Sequence, residues 1–390
     1  MTAVFLLAWT LWVTGAVVTA LWRRRRLCEL GDRPVVSDRS VVLLHRPCTG
    51  DAHFLSAGLA SVKDAHCSRP LEVRMTVTSE QDPAMPLIES TAEMLRNAGV
   101  DATTSVYPAS GPNQKAGQLE ALLSDIKGVD VVIVADVDVD LTGVDLDRLV
   151  NPLVLDRSIG AVWCPPSEHA PPRTFGDRTS QAFLNGSLHA FSLLCALDPG
   201  GLVGKLFAFR LESMRSAVSL ELLPFYLGED MEISRRLRRS GSSVRPIPLV
   251  ARSMASGRRL SDVIDRFSRW LLVIRSQRPL LLLAYPLMFG ATLPIVLFGV
   301  SLAVLGSGSA SWIGLTAAII AFATRLFTAL AARRFASLSP RPMSLVVDAL
   351  LGELLIWIAF ISALTRRRVQ WAGRTLRIDG AGRLVRDPGS

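Results

Sequence analysis

Asp130-Val-Val-Ile-Val-Ala-Asp136-Val-Asp138-Val-Asp140 decides how the rest of the chain is read. Five apolar residues, Val131–Ala135, run without a polar interruption, as a strand buried on both faces of a sheet does. Carboxylates follow at alternate positions. Side chains on extended backbone repeat every second residue, so Asp136, Asp138 and Asp140 are expected to project from one face. Like charges that close repel and raise one another's pKa unless a cation joins them. A divalent metal relieves that cost, and one with open coordination positions also takes substrate phosphates. A solvated loop with a helix cap before Leu146–Val150 is the plainer reading of the same residues. The place directly after a buried strand favours the cation, because open α/β sheets bind ligands at the carboxyl ends of their strands.

Apolar runs of strand length stand at Val41–Leu44 and Gly160–Trp163, and Leu71–Thr78 alternates as a strand. Pro86–Ala98 has helical spacing. Strands alternating with helices imply βαβ units and a mostly parallel sheet covered by helices. Gly111-Pro-Asn113-Gln-Lys115 is a polar turn opening a helix at Ala116–Leu123. A lysine there opposes the helix dipole unless an anion such as phosphate sits beside it; otherwise it is an ordinary solvated lysine. Gly228-Glu229-Asp230 opens another helical run, where acidic residues serve as dipole partners or as a general base at the mouth of a site. Arg266-Phe-Ser-Arg269-Trp270 places two guanidiniums on one helix face, suited to diphosphate oxygens, beside an indole on which a sugar or lipid head can rest. Anchoring to lipid headgroups explains the same three side chains equally well.

The chain has 390 residues, 49% of them hydrophobic, with mean hydropathy +0.34, net charge +9 and pI about 9.9. That hydropathy excludes a disordered chain, and five scattered cysteines exclude a disulfide scaffold. Of the 43 basic residues only Lys63, Lys115, Lys127 and Lys205 are lysines. The arginines cluster beside apolar runs, at Arg23–Arg26, Arg333–Arg334 and Arg366–Arg368, which suits a membrane surface better than nucleic acid. Residues 3–22 are apolar for about the 20 residues a bilayer crossing needs. Because the arginines follow that run, it reads as an uncleaved anchor with the next domain cytoplasmic. Residues 279–305, 312–330 and 343–364 are apolar again. Three crossings would put Arg366–Arg368 on the wrong side, so one segment is expected to be re-entrant or interfacial. Asp348 and Glu353 make 343–364 the first suspect. The expected division is an anchor (1–26), a cytosolic catalytic domain (38–278), a membrane region (279–365) and a basic tail (366–390).

Taken in order, these pieces resemble the membrane-bound family 2 type glycosyltransferases, and most of all the ceramide glucosyltransferase family with its bacterial hopanoid-associated relatives. The matching elements are Asp82 in Glu80-Gln-Asp82-Pro83-Ala84, the Gly111/Asn113/Lys115 turn, Asp136 with Asp138, Asp230 in Glu229-Asp230, and Arg266, Arg269 and Trp270. Val369-Gln-Trp371-Ala-Gly373 also looks like the family's ending. The first strand departs from it, with Arg46 before Pro47 where the family has lysine.

The resemblance implies a GT-A-like nucleotide-diphospho-sugar transferase fold with transmembrane helices at both ends. It implies an integral membrane enzyme of the bacterial inner membrane, its catalytic domain cytoplasmic. That enzyme would transfer a hexose, glucose from UDP-glucose, to a lipid hydroxyl on ceramide or a similar lipid, with inversion. Asp82 would help hold the nucleotide; Lys115, Arg266 and Arg269 would face the diphosphate. Asp136 and Asp138 would bind sugar nucleotide and Mg²⁺ or Mn²⁺, Asp230 would act as general base, and Trp270 would border the acceptor. Other readings are a hopanoid or other lipid glycosyltransferase, a processive polysaccharide synthase, and an inactive membrane-bound scaffold. The synthase needs a channel that three apolar segments hardly furnish, and the scaffold should lack acidic residues that are present.

Overall fold

The computed structural model describes residues 1–31, 38–366, 368–371, 374–380 and 382–386. The chain forms two compact units. One holds Leu27–Ala170, Asp198–Ala255 and Arg368–Ser390; the other holds Met1–Arg26, Pro171–Leu197 and Ser256–Arg367. This division does not follow the linear one expected above. Residues 171–197 and 256–278 group with the apolar helices, and the C-terminal segment groups with the sheet.

The first unit is built on seven strands: β1 (Val42–Pro47), β2 (Leu71–Val77), β3 (Asp101–Val106), β4 (Val131–Ala135), β5 (Ile159–Trp163), β6 (Leu206–Arg210) and β7 (Ser243–Pro246). Their order is β3-β2-β1-β4-β6-β5-β7. β1 to β4 are mutually parallel, with Leu44 beside both Val73 and Ile133. β6 runs antiparallel between β4 and β5, setting Ile133 against Ala208. Every residue of β1 and β4 is buried, which is why their sequences do not alternate. Helices Met85–Asn97, Gln114–Asp125, Asp147–Leu155 and Glu229–Arg239 flank the sheet. Ile88, Ala92 and Leu95 of the first, at helical spacing, join a core with Val73, Met75 and Ile133. The fold is GT-A-like: a mixed, largely parallel sheet covered by helices, in a chain with apolar helices near both termini.

β1 carries Arg46 into this core. Its guanidinium donates to the carbonyls of Gly58 (2.8 Å), Val139 (3.2 Å) and Val137 (3.3 Å), so it holds the backbone of the turn that follows β4. Burial pushes its pKa down to about 10. Gly58 lets the chain pass that turn, since a Cβ there would lie 1.9 Å from the Val137 carbonyl oxygen. Gly58→Ala must therefore displace the turn, at a cost of about 1–3 kcal/mol or more. A thermal melt several degrees lower, with turnover reduced at least about tenfold, is expected; an unchanged melt and rate would show that the turn is free to shift.

A three-stranded antiparallel sheet, Arg368–Trp371, Arg374–Ile378 and Leu384–Arg386, ends this unit. Tyr226 and Arg383 form a bridge, and the Tyr226 hydroxyl accepts from Arg383 Nε at 3.3 Å. Of the Val369–Gly373 ending, Ala372 and Gly373 lie outside the described residues.

In the other unit Thr2–Cys28, Ser309–Phe335 and Pro342–Thr365 are each long and apolar enough to cross a membrane. Pro279–Phe289 and Thr292–Leu305 form a fourth apolar stretch, bent by 44°. The break thus falls in 279–305, and 343–364 belongs to one uninterrupted helix. Pro286, Gly290 and Pro294 explain the break, since proline and glycine interrupt the helical ladder. The two carboxylates that made 343–364 suspect are matched by arginines. Asp348 pairs with Arg178 and Arg333, each at 2.5 Å, and Glu353 with Arg325 at 3.3 Å. The opposite face of that helix presents Met343, Leu350, Leu354 and Ile361 outward.

Candidate active site

β4 ends in Asp136, and there the extended backbone stops. The Val139 N–H donates to the Asp136 carbonyl at 2.9 Å, closing a turn over 136–139. The chain resumes as the short strand Val139–Asp140, paired antiparallel with Ala251–Ser253. The three carboxylates therefore do not share one face. Asp140 turns to the Thr142 N–H (2.9 Å) and to Arg252 (3.7 Å), because the turn breaks the period of two.

Asp136 and Asp138 do converge. Asp138 is only 4% exposed. Its two carboxylate oxygens each accept from Lys205 Nζ at 2.6 Å, and Oδ2 also accepts from the Ser253 hydroxyl at 2.6 Å. Lys205 Nζ lies 3.2 Å from Asp136 Oδ2, while Asp136 Oδ1 takes Lys115 Nζ at 2.6 Å. Two aspartates and two lysines thus alternate around the turn.

Lys115 stands in the first turn of helix Gln114–Asp125, which Asn113 caps through its side-chain oxygen to the Ala116 N–H. The anion opposite it is Asp136, with Glu229 at 3.9 Å, and it also donates to the Gly204 carbonyl at 2.6 Å. Burial works against its charge, but Asp136 and Glu229 more than offset this and hold its pKa above the usual lysine value. Asn113 reaches across to donate to Glu229 (2.8 Å) and to the Tyr226 carbonyl (3.0 Å). Asp230 accepts from the Gly204 N–H at 2.9 Å and the Met231 N–H at 2.8 Å. Gly204 packs closely against both groups, as a Cβ there would sit 3.1 Å from Lys115 Nζ and 3.4 Å from Asp230 Oδ2. Burial raises the pKa of Glu229, and Asp230 raises it further. Burial also raises the pKa of Asp230, against the pull of Lys115. A carboxylate held above its ordinary range is suited to take a proton near neutral pH.

Asp82 makes its contacts elsewhere, at the loop after β1. It accepts from the Gly50 N–H (2.8 Å), the Thr49 hydroxyl (3.0 Å) and the Ala84 N–H (2.9 Å). Arg266, Arg269 and Trp270 lie on helix Leu260–Gln277 of the other unit. The Arg266 guanidinium covers the Trp270 ring at 5.0 Å, and that ring meets Phe267 and Phe191 edge-on at 5.0 and 5.4 Å. Burial, then Arg266, lowers the pKa of Arg269.

Lys205 and Ser253 complete the aspartate turn, and the sequence reading assigned neither. The rule for parallel strands points to residues that follow each apolar run. β6 is antiparallel to β4, so the residue just before Leu206, not those after Arg210, lies beside the carboxyl end of β4. Gly204-Lys205 preceding the run Leu206–Phe209 was the available signal.

The chain belongs to glycosyl transferase family 21, whose model matches residues 5–384. That family contains ceramide glucosyltransferase-like proteins. The protein is accordingly an inverting glycosyltransferase that transfers a sugar to a lipid acceptor, and an integral membrane protein. No curated protein matches the chain. Among solved structures it is similar to the mannosyltransferase PcManGT from Pyrobaculum calidifontis in complex with GDP-Man and Mn²⁺. The two share 17% identity and a TM-score of 0.49 over 94% of this chain and 99% of that one. It is also similar to glucosyl-3-phosphoglycerate synthase from Mycobacterium tuberculosis with Mg²⁺ and UDP, at 16% identity and a TM-score of 0.36, over 60% of this chain and 78% of that one.

Proposed function

We propose that the enzyme transfers glucose from UDP-glucose to a hydroxyl of ceramide or a ceramide-like lipid, at the cytoplasmic face of a bacterial inner membrane. The observation that carries this reading is the joint placement of Lys115, Asp136 and Asp138 at the turn that ends β4, with Asp230 near Lys115 on the Gly204 N–H, in a membrane-anchored chain of family 21. Asp230 takes the proton from the attacking acceptor hydroxyl as that oxygen bonds to the anomeric carbon. UDP leaves from the opposite face, so the anomeric centre inverts. Lys115 supplies positive charge where the diphosphate bears its negative charge. Asp82 holds the nucleotide, and Trp270 offers the acceptor a flat apolar wall.

Asp136 and Asp138 are assigned a Mg²⁺ or Mn²⁺ ion. The donor set suits it, since three oxygens of these hard carboxylates already surround one cation, the Lys205 ammonium, at 2.6, 2.6 and 3.2 Å. When bound, such an ion neutralises charge developing on the leaving diphosphate.

Membranes containing the protein, given labelled UDP-sugars and a panel of lipids, test the reading. Label is expected in one discrete glycolipid, with UDP-glucose and ceramide the best pair. Label in a sterol-like lipid instead would replace the acceptor, and label in polymer would replace the reaction.

A further inference from the structure

Lys205 occupies the same carboxylate oxygens of Asp136 and Asp138 that would hold the assigned metal. Its ammonium engages both oxygens of buried Asp138 and approaches Asp136, and the backbone carbonyl of the same residue receives the Asp136 N–H at 2.9 Å. The lysine therefore belongs to the framework of the turn: β6 delivers it there through its pairing with β4. The Lys115 ammonium is engaged otherwise, by Asp136 Oδ1, Glu229 and the Gly204 carbonyl.

We propose that Lys205 is an exchangeable counter-ion for the D-x-D pair: its ammonium holds Asp136 and Asp138 until the divalent ion arrives with the donor, and yields Asp138 to that ion. The inference rests on the metal assignment made above. Three physical points support it. Asp138 is buried and its carboxylate is most stable with a cation against it, which Lys205 provides without metal. An ammonium in contact with the same oxygens must be displaced before a metal can bind there, so the two compete directly. The lysine stem is flexible and its ammonium has rotatable donors, so it can swing to a newly arrived diphosphate while its backbone stays in β6's approach. The consequence is ordered binding: metal alone binds weakly, and metal with nucleotide binds tightly, because the diphosphate gives Lys205 another anion.

Mn²⁺ titration of the detergent-purified full chain, read by the electron paramagnetic resonance of free Mn²⁺, tests this without relying on turnover. Without nucleotide, Lys205→Met is expected to bind Mn²⁺ at least about tenfold more tightly than the wild type. Lys205→Arg, which keeps the charge, is expected to bind as weakly as the wild type. Adding UDP is expected to tighten Mn²⁺ binding strongly in the wild type and much less in Lys205→Met. Equal Mn²⁺ affinity in wild type and Lys205→Met, with UDP still enhancing both, would overturn the exchange while leaving the metal site standing. No Mn²⁺ binding to either protein, with or without UDP, would overturn the metal site and the exchange together. Retained UDP binding by Lys205→Met shows that this variant is folded, and Mn²⁺ binding by Lys205→Arg as tight as that of a metal site without a counter-ion would also overturn the exchange.

Discussion

Asp230→Asn is expected to lower turnover about 10³-fold while leaving UDP affinity within a few-fold of the wild type. A positioned general base contributes roughly 10²–10⁴ in rate, and asparagine keeps the side chain's shape and its acceptor oxygen for the Gly204 N–H. What it removes is the basic lone pair. The pH profile adds a second test. Burial holds the Asp230 pKa above its ordinary value, so the base is protonated, and kcat/KM falls, as pH drops through that raised value. Lys115 pulls the pKa down. Lys115→Met should therefore move the acid limb to higher pH, in addition to weakening donor binding. Glu229 titrates with Asp230, so the limb reports the pair rather than one residue. Full turnover in Asp230→Asn would assign the base elsewhere, and an acid limb unmoved by Lys115→Met would separate this lysine from it.

Asp138→Asn should have the second large effect. The substitution strips one charge from a buried ion pair and leaves Lys205 facing a neutral amide. Breaking such a pair costs about 3–5 kcal/mol when the remaining charge is stranded. Lys205 keeps Asp136 at 3.2 Å and its side chain is 19% exposed, so the low end, about 3 kcal/mol, is expected. Thermal melts measure that loss. Kinetics with varied Mn²⁺ measure the rest: kcat/KM for the donor should drop about 10²-fold or more, and added metal should no longer activate. Wild-type kcat/KM with intact metal activation would take Asp138 out of the donor site.

The parallel half of the sheet was legible because its strands are continuous apolar runs ending in polar turns: Val131–Ala135 reads as a strand with no knowledge of its neighbours. Lys115 and Asp230 were visible for the same reason, as residues opening helices after such turns. Asp140 was misread because strict alternation continues in sequence past the point where the backbone turns; the hydrogen bond from Val139 to Asp136 has no signature in residue type. Lys205 was invisible to a rule written for parallel strands, and Ser253 sits on a three-residue strand too short to recognise. In the apolar part, Asp348 and Glu353 mark 343–364 as the suspected re-entrant or interfacial segment, yet Asp348 is neutralised within the fold. Its partner Arg178 lies 170 residues away, and only the fold brings that charge to it. The prolines and glycine of 279–305 were the better guide.

The C-terminal strands return the chain to the unit it left. The chain leaves the sheet-bearing unit at Ala255 and rejoins it from Arg368 onward, where Arg383 bridges to Tyr226. Between those two points lie the bent stretch 279–305 and the helices Ser309–Phe335 and Pro342–Thr365, so this apolar region is an excursion of the chain whose two ends are held by one sheet-bearing body.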